Sequence, residues 1–395
     1  MTNGTRPMPL SGIRVLDLGQ AAVGPIAAEY LGELGADVIK VESPEGDSVR
    51  RGRPRLNGMG HTFLGNNLTK RGVMLDLKNP EDHASAERLI ATADVLIENF
   101  RSPAVLKRLG LGYDRMSEIN PRLIYVQSSA YGPRGPMEGM TSNEWFAQAS
   151  AGLTSVTGAR GEAGEVSRGT ASMDWNGAFV NLEAILVALY VRERTGKGMM
   201  IYTSQFQSAL IASTTRLAEY FVTGDVPERL GSGRPNVVPD QAFATSDGFV
   251  TVTVPHNGFW TRFCRAIERP ELVDDPRYAT NDARVANRAT LEPALDAVFA
   301  TATAAEWIAR MRAADVPVGE FQHGPNLSAS LLEHPQVQAE HLVSVFETPW
   351  GAMATAEPHW KFDKTRARIT RPAPAHGEHT QEIMRELGVE IGGRS

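Results

Sequence analysis

The chain has 395 residues, 42% of them hydrophobic and 22% charged, with a formal net charge of −6. That length holds two domains or more with ample core. The acidic balance argues against a general nucleic-acid binder, although a local Lys/Arg cluster could still take a small anion. The single cysteine, Cys264, excludes an intrachain disulfide and a cysteine-rich metal site. It lies in the helical run FWTRFCRAI and reads as a small core side chain rather than a nucleophile. No apolar run reaches membrane-spanning length, and MTNGTRPMPL lacks the apolar core of a signal peptide, so a cytoplasmic protein is expected.

In chain order, GIRVLDLG reads as a buried strand, QAAVGPIAAEYLGELG as a loop and helix, and ADVIKVE as a second strand. Together they make a βαβ unit of a parallel sheet. Glu42, at the end of the second strand, invites a dinucleotide-binding reading. However, Gly19 and Gly24 stand five apart and do not form G-x-G-x-x-G, and Pro25 occupies the place of a phosphate-loop lysine. ESPEGDSVRRGRPR is a charged loop carrying Arg50, Arg51, Arg53 and Arg55. GVMLDL is a strand, DHASAERLIATA an amphipathic helix, and DVLIENF and PRLIYVQSSAYG are further strands.

The stretch from Arg168 to Gly198 organises the rest. A run of small residues ends at Asp174, after which Phe179, Leu182, Ile185, Leu186 and Leu189 recur at helical spacing. Gly196 and Gly198 are its stop signals. Asp174 therefore falls at or near a helix start, either as an N-cap or as an ionised group favoured by the helix dipole. Gly169 and Gly177 on either side would let another molecule approach the backbone. Downstream, MIYTSQFQSALIASTTRLAEYFVTG gives a strand and a helix. A Gly/Pro-rich crossing, LGSGRPN, then opens a smaller domain with alternating strands joined at a DG turn. Its helices are FWTRFCRAI, LEPALDAVFA and TAAEWIARMRAA, and DVPVGEF leads back out. The expected division is 1–215, 216–330 and a returning segment 331–395. His334, His341, His376 and His379 lack metal-ligand spacing, so no metal is expected.

These motifs, in this order, resemble the family III CoA transferases (the formyl-CoA transferase, carnitine CoA-transferase and 2-methylacyl-CoA racemase group). The resemblance rests on LDLGQAAVGP, N-x-x-K-R at Asn67, Lys70 and Arg71, ENFR, the G-x-x-G-P turn and the Asp174 helix ending in RERTGKG. It spans nearly the whole chain. It implies an α/β fold with a large Rossmann-like parallel-sheet domain and a smaller α+β domain, the monomer forming a ring and two rings interlocking as a dimer. It implies Asp174 as nucleophile with Glu144 beside it, and CoA contacts from Gln20, Ala21, Lys70, Arg71, Asn99, Phe100, Arg101 and Arg108. One or more of the arginines at 50–55 would meet CoA phosphates, and a family arginine falls here on Ser43.

The resemblance also sets the chemistry. An aspartyl carboxylate attacks an acyl-CoA thioester, giving an anhydride and then an aspartyl-CoA thioester, with no tightly bound cofactor and CoA present only as part of the substrate. Glycine-containing loops at Gly169, Gly231 and Gly233 are candidate oxyanion donors. A racemase of 2-substituted acyl-CoA is the alternative, but its base, a His before an Asp, is replaced by Asn143 and Glu144, and its second acid falls near His256. A third reading is a CoA-binding subunit of a hetero-oligomer. Partners are thus acyl-CoA, a carboxylic acid and a second copy of the chain, or a paralogous subunit, with no nucleic acid and no membrane.

Overall fold

Six short strands line up side by side in the first of two units, the inner four each carrying two or more of Val, Ile and Leu. The computed structural model describes residues 7–102, 104–167, 169–321 and 331–389. The first unit takes its residues from 1–153, 166–222 and 336–395, and the second from 154–165 and 223–335. Segment 154–165, which the sequence places in the first domain, thus belongs to the second unit.

The strands of the first unit are β1 (Arg14–Asp17), β2 (Asp37–Glu42), β3 (Arg71–Met74), β4 (Val95–Glu98), β5 (Ile124–Ser129) and β6 (Met199–Ser204). They form one sheet in the order β3-β2-β1-β4-β5-β6, parallel at every step. Helices α1 (Val23–Glu33), α2 (Pro80–Thr92), α3 (Glu144–Ser150), α4 (Ser172–Thr195) and α5 (Gln205–Ala212) accompany it. Alternation along the strands loads both faces. Leu16, Ile39, Leu96 and Tyr125 pack on Leu89 and Ile90 of α2, while Val15, Val38, Ile97 and Val126 pack on Leu31 of α1 and Ile185 of α4. A sheet buried on both sides explains why its strands read as continuous apolar runs.

The sheet's β3 edge is covered by the C-terminal segment. His379 donates its backbone N–H to the Gly72 carbonyl at 2.8 Å, and the Gly72 N–H meets His379 Nδ1 at 3.1 Å. The Met74 N–H reaches Thr380 Oγ1 at 3.1 Å. Helix Thr380–Glu386 then docks Ile383 into the core.

Helix α4 is capped by Ala171, which supplies no side-chain cap, so Asp174 is the third helical residue and not the N-cap. The helix ends at Gly196 in the left-handed conformation, φ 71°, as the sequence anticipates. Gly177 serves internal packing, since a Cβ there would lie 3.1 Å from Val23 Cγ1 on α1, whereas Gly169 faces open space. After β6 the expected single helix is two, α5 and Thr214–Thr223.

The second unit is built on an antiparallel sheet of β7 (Asp240–Ala244), β8 (Phe249–Thr253) and β9 (Val318–Glu320), with β8 central. Its core gathers Trp260, Phe263, Phe299 and Trp307. DVPVGEF therefore pairs as an edge strand rather than simply leading out, because Val316 is drawn into that core. Cys264 is fully buried in the same cluster, and burial pushes its thiol up to about 12, which removes it as a nucleophile.

Candidate active site

The chain runs from β1 outward to β2 and β3, then returns to the other side of β1 at β4. At such a reversal the loops beyond the carboxyl ends of β1 and β4 diverge and leave a crevice, the usual ligand position in open parallel sheets. Gly19, Gln20 and Ala21 follow β1, and Asn99 follows β4. The Asn99 side chain ties the two loops as a peptide would: Oδ1 accepts the Gln20 N–H at 2.7 Å and Nδ2 donates to the Gln20 carbonyl at 2.8 Å.

Buried charge holds this loop in shape. Lys40 Nζ donates to the Gly19 carbonyl at 2.5 Å and to Asp47 Oδ2 at 3.2 Å. Lys70 Nζ donates to Asp17 Oδ2 at 2.8 Å and Asn67 Oδ1 at 2.8 Å. Burial pushes the Asp17 carboxyl upward, but Lys40 and Lys70 outweigh it and hold the group below its ordinary value. Gly19 is required here, because a Cβ would lie 2.9 Å from both Asp17 Oδ1 and Pro25 Cδ. Ala21 has φ 62°, a left-handed conformation costing a non-glycine residue roughly 1 kcal/mol. It is held there by Asp47, which accepts its N–H at 3.1 Å, and by Asn66, which donates to its carbonyl at 3.0 Å.

Two cavities flank Gln20, which lines both. The first, about 230 Å³, has an apolar wall that includes Leu18, Val41, Leu75 and Phe100, with Ser43 and Lys78 also on its lining. The second, about 240 Å³, is lined by Asn99, Arg101, Ser129, Glu144, Asp174 and Gln205, among others.

Asp174 is the most chemically distinctive group in the second cavity. Burial first, and Glu144 second, push its carboxyl up to about 6, against a hydrogen bond from Gln205 that favours the ionised form. Gln205, the first residue of α5, donates Nε2 to Asp174 Oδ1. Glu144, the first residue of α3, is fastened by three donors. Its Oε1 accepts from Gln148 Nε2 at 2.9 Å, the Met173 N–H at 3.2 Å and Ser172 Oγ at 3.3 Å. The Met173 N–H is one of the orphan donors at the head of α4, so Glu144 satisfies from another helix what Ala171 cannot. Asn143 is occupied as the N-cap of α3, its Oδ1 accepting the Trp145 and Phe146 N–H groups at 3.0 and 3.1 Å.

The structure gathers Gln20, Ala21, Asn99, Arg101, Glu144 and Asp174 around the second cavity, and Phe100 around the first. Arg108 is exposed at the end of helix Ala104–Arg108, one residue before Leu109, which lines the first cavity. Lys70 and Arg71 stand elsewhere. Lys70 is fully buried under the loop, and Arg71 pairs with Asp37 at 2.7 Å, Glu382 at 2.7 Å and Glu386 at 2.6 Å, fixing the C-terminal helix to the sheet. The physical reason is commitment: the Lys70 ammonium is spent on buried Asp17, and the Arg71 guanidinium on the partly exposed carboxylates that tie the C-terminal helix to the sheet. Arg50 is likewise locked to Glu42 at 2.6 Å, which leaves Arg51, Arg53 and Arg55 exposed. Gly231 and Gly233 lie in the second unit, and there His256 precedes helix Asn257–Ala266 and packs on Phe259. Sequence reasoning misses Gln205 and Lys78, since a glutamine after a strand and a lysine after LDL carry no motif of their own.

Comparison with known proteins shows what the whole chain is similar to. The profile of the family described as CoA-transferase family III matches residues 10–380. The chain is 33% identical over 382 residues to the succinyl-CoA:glutarate CoA-transferase of Mus musculus, covering 96% of this chain and 86% of that one. It is 30% identical over 391 residues to the succinyl-CoA–D-citramalate CoA-transferase of Chloroflexus aurantiacus, covering 98% and 96%. Among solved structures, a CaiB/BaiF family protein from Brucella suis superposes with a TM-score of 0.84 at 31% identity, covering 96% of this chain and 99% of that one.

Proposed function

Because the chain belongs to CoA-transferase family III, we propose that it moves CoA from succinyl-CoA or a similar donor to a dicarboxylic acid through a covalent intermediate on Asp174. One observation carries the reading: a half-buried carboxylate with a raised pKa lines a cavity that shares Gln20 with a neighbouring cavity, which has an apolar wall and a lysine. The nucleotide end of CoA fits the first, its adenine against Leu18, Leu75 and Phe100 and its phosphates toward Lys78. The pantetheine arm then passes Gln20 to bring the thioester to Asp174. The dicarboxylic choice is supported by the relatives' substrates and by Arg101, a cation on the lining of the Asp174 cavity that can pair with a distal carboxylate.

In this scheme one Asp174 oxygen attacks the thioester carbon and CoA leaves as thiolate, giving a mixed anhydride. The thiolate then attacks the aspartyl carbon, releasing the donor acid and leaving an aspartyl-CoA thioester. The acceptor carboxylate reverses the two steps. A pKa near 6 leaves the group ionised at neutral pH yet more basic, and so more nucleophilic, than an ordinary aspartate. Glu144 supplies part of that elevation and fixes the head of α4. A racemase is disfavoured because Asn143 is not a base and its side chain is committed to capping α3.

The test is incubation with succinyl-CoA alone followed by hydroxylamine. Wild-type protein should lose activity as the aspartyl thioester is captured at Asp174, and Asp174→Asn should neither transfer CoA nor be labelled. An Asp174→Asn variant as fast as wild type would end the reading. The working form is inferred to be a homodimer of interlocked rings, as the resemblance implies. Exposed Phe179, Val187 and Tyr190 on α4 offer apolar surface for it, and light scattering at the mass of one chain would refute it.

A further inference from the structure

We propose that Gln205 is a catalytic residue whose side-chain amide donates to the oxyanion that forms on Asp174 whenever its carbonyl carbon is attacked. The inference rests on the aspartyl mechanism above and assigns a donor that mechanism needs. Gln205 is 7% exposed, and its place is fixed at both ends. β6 delivers it to the cavity, and Ser204 caps α5 by accepting the Gln207 N–H at 3.1 Å. The neighbouring Phe206 N–H is tied to the Ala130 carbonyl at 2.9 Å. An ionised carboxylate only accepts hydrogen bonds, so the NH₂ end of Gln205 must face it, as it does at Asp174 Oδ1.

That contact leaves Oδ2 as the oxygen that attacks the thioester. Once acylated through Oδ2, Asp174 keeps Oδ1 as a carbonyl oxygen with Gln205 already against it. When the CoA thiolate attacks, an S–C bond forms at the aspartyl carbon and the carbonyl π pair moves onto Oδ1. When the pair returns, the C–Oδ2 bond breaks and the donor acid leaves as its carboxylate, carrying that oxygen. The acceptor carboxylate later attacks the same carbon, charge again builds on Oδ1, and thiolate is expelled. A donor in place before charge develops needs no reorganisation during either step. One amide thus serves the resting carboxylate and both tetrahedral states of the aspartyl carbon.

The ionisable groups lining the cavity with Asp174 are Glu144 from α3 and Arg101 from the segment after β4; α1 contributes Val23 there and β5 contributes Ser128 and Ser129. Gln205→Met keeps the length of the side chain and removes the donor. Its kcat should fall about a hundredfold, the typical loss for one oxyanion donor, with KM for acyl-CoA within about twofold. The acidic limb of its pH–rate profile should move to higher pH, because the lost hydrogen bond favours the ionised carboxylate. Gln205→Glu keeps the shape and donates only when protonated, so it should be slow at pH 8 and gain rate as pH falls. A purely structural role would move neither profile. A Gln205→Met enzyme within about threefold of wild type, its acidic limb unmoved, overturns the assignment. If that variant fails to melt cooperatively, Gln205→Glu decides alone, and a wild-type profile from it is equally fatal. An inactive Asp174→Asn beside an unimpaired Gln205→Met sinks this inference only, whereas an active Asp174→Asn sinks the aspartyl mechanism itself.

Discussion

Replacing Asp174 by Asn should abolish CoA transfer and make the protein more stable. The reason is the cost of keeping a carboxylate ionised in a half-buried site beside Glu144. The folded protein raises this group from 3.8 to about 6, a difference of about two units. At ~1.4 kcal/mol per unit the ionised form costs at most ~3 kcal/mol, and about 1–2 kcal/mol after discounting for partial contact with solvent. The sign follows from proton binding. Below pH ~4 the acid is protonated folded and unfolded, so there is no cost; between ~4 and ~6 only the unfolded chain ionises it fully and the cost grows; above ~6 it is constant. Asn carries no charge and can still accept from Gln205. The variant should therefore melt about 1–3 °C higher than wild type at pH 8, about half that at pH 5, with the gain fading toward pH 4. Scanning calorimetry from pH 5 to pH 8 measures this. A variant no more stable than wild type at pH 8, or one whose gain is the same at pH 5, would refute the reasoning.

Wild-type transfer should fall as pH drops through about 6, where Asp174 takes up its proton, read from kcat across pH 5–8. Glu144→Gln removes the neighbouring negative charge, so this limb should move to lower pH; a shift upward would contradict the electrostatics. Lys78→Ala should raise KM for acyl-CoA about fivefold or more while leaving turnover of an acyl-pantetheine unchanged, since only CoA carries the nucleotide phosphates. Lys70→Met strips Asp17 of one of two buried cations and should cost roughly 3–5 kcal/mol of stability by chemical denaturation. Unchanged stability with a large rise in KM would instead make Lys70 a direct ligand contact.

Much of this site is legible in the amino-acid sequence because its signals are local. The helical period after Asp174, the glycine at its end and the strand–loop–helix beginning at LDLGQ are each written within about twenty residues. Pattern cannot separate Asp174 from an N-cap, because the group that satisfies the helix head, Glu144, lies 29 residues before Met173. Lys70 and Arg71 read as ligand contacts for the same reason. Their partners stand 53 and 311 residues away, and a charged pair in a sequence does not say which carboxylate it will meet. Asn99 also reads as a ligand contact, yet its side chain is committed to the Gln20 peptide, so it shapes the crevice as well as lining it. Gln205 has no signal at all. It becomes visible only once β6 is seen to end beside the head of α4.

The covering of β3 by residues around His379 has a consequence in time. The strand and its cover are separated by 307 positions, so a ribosome finishes Gly72 long before it makes the partner of that residue. At about 5 to 20 residues per second, the interval is about 15 seconds to a minute. Throughout it the nascent sheet presents a row of unsatisfied amides able to recruit another polypeptide. Biosynthesis of this enzyme therefore has a vulnerable window set by its topology, and chains interrupted before position 379 are the ones expected in inclusion bodies.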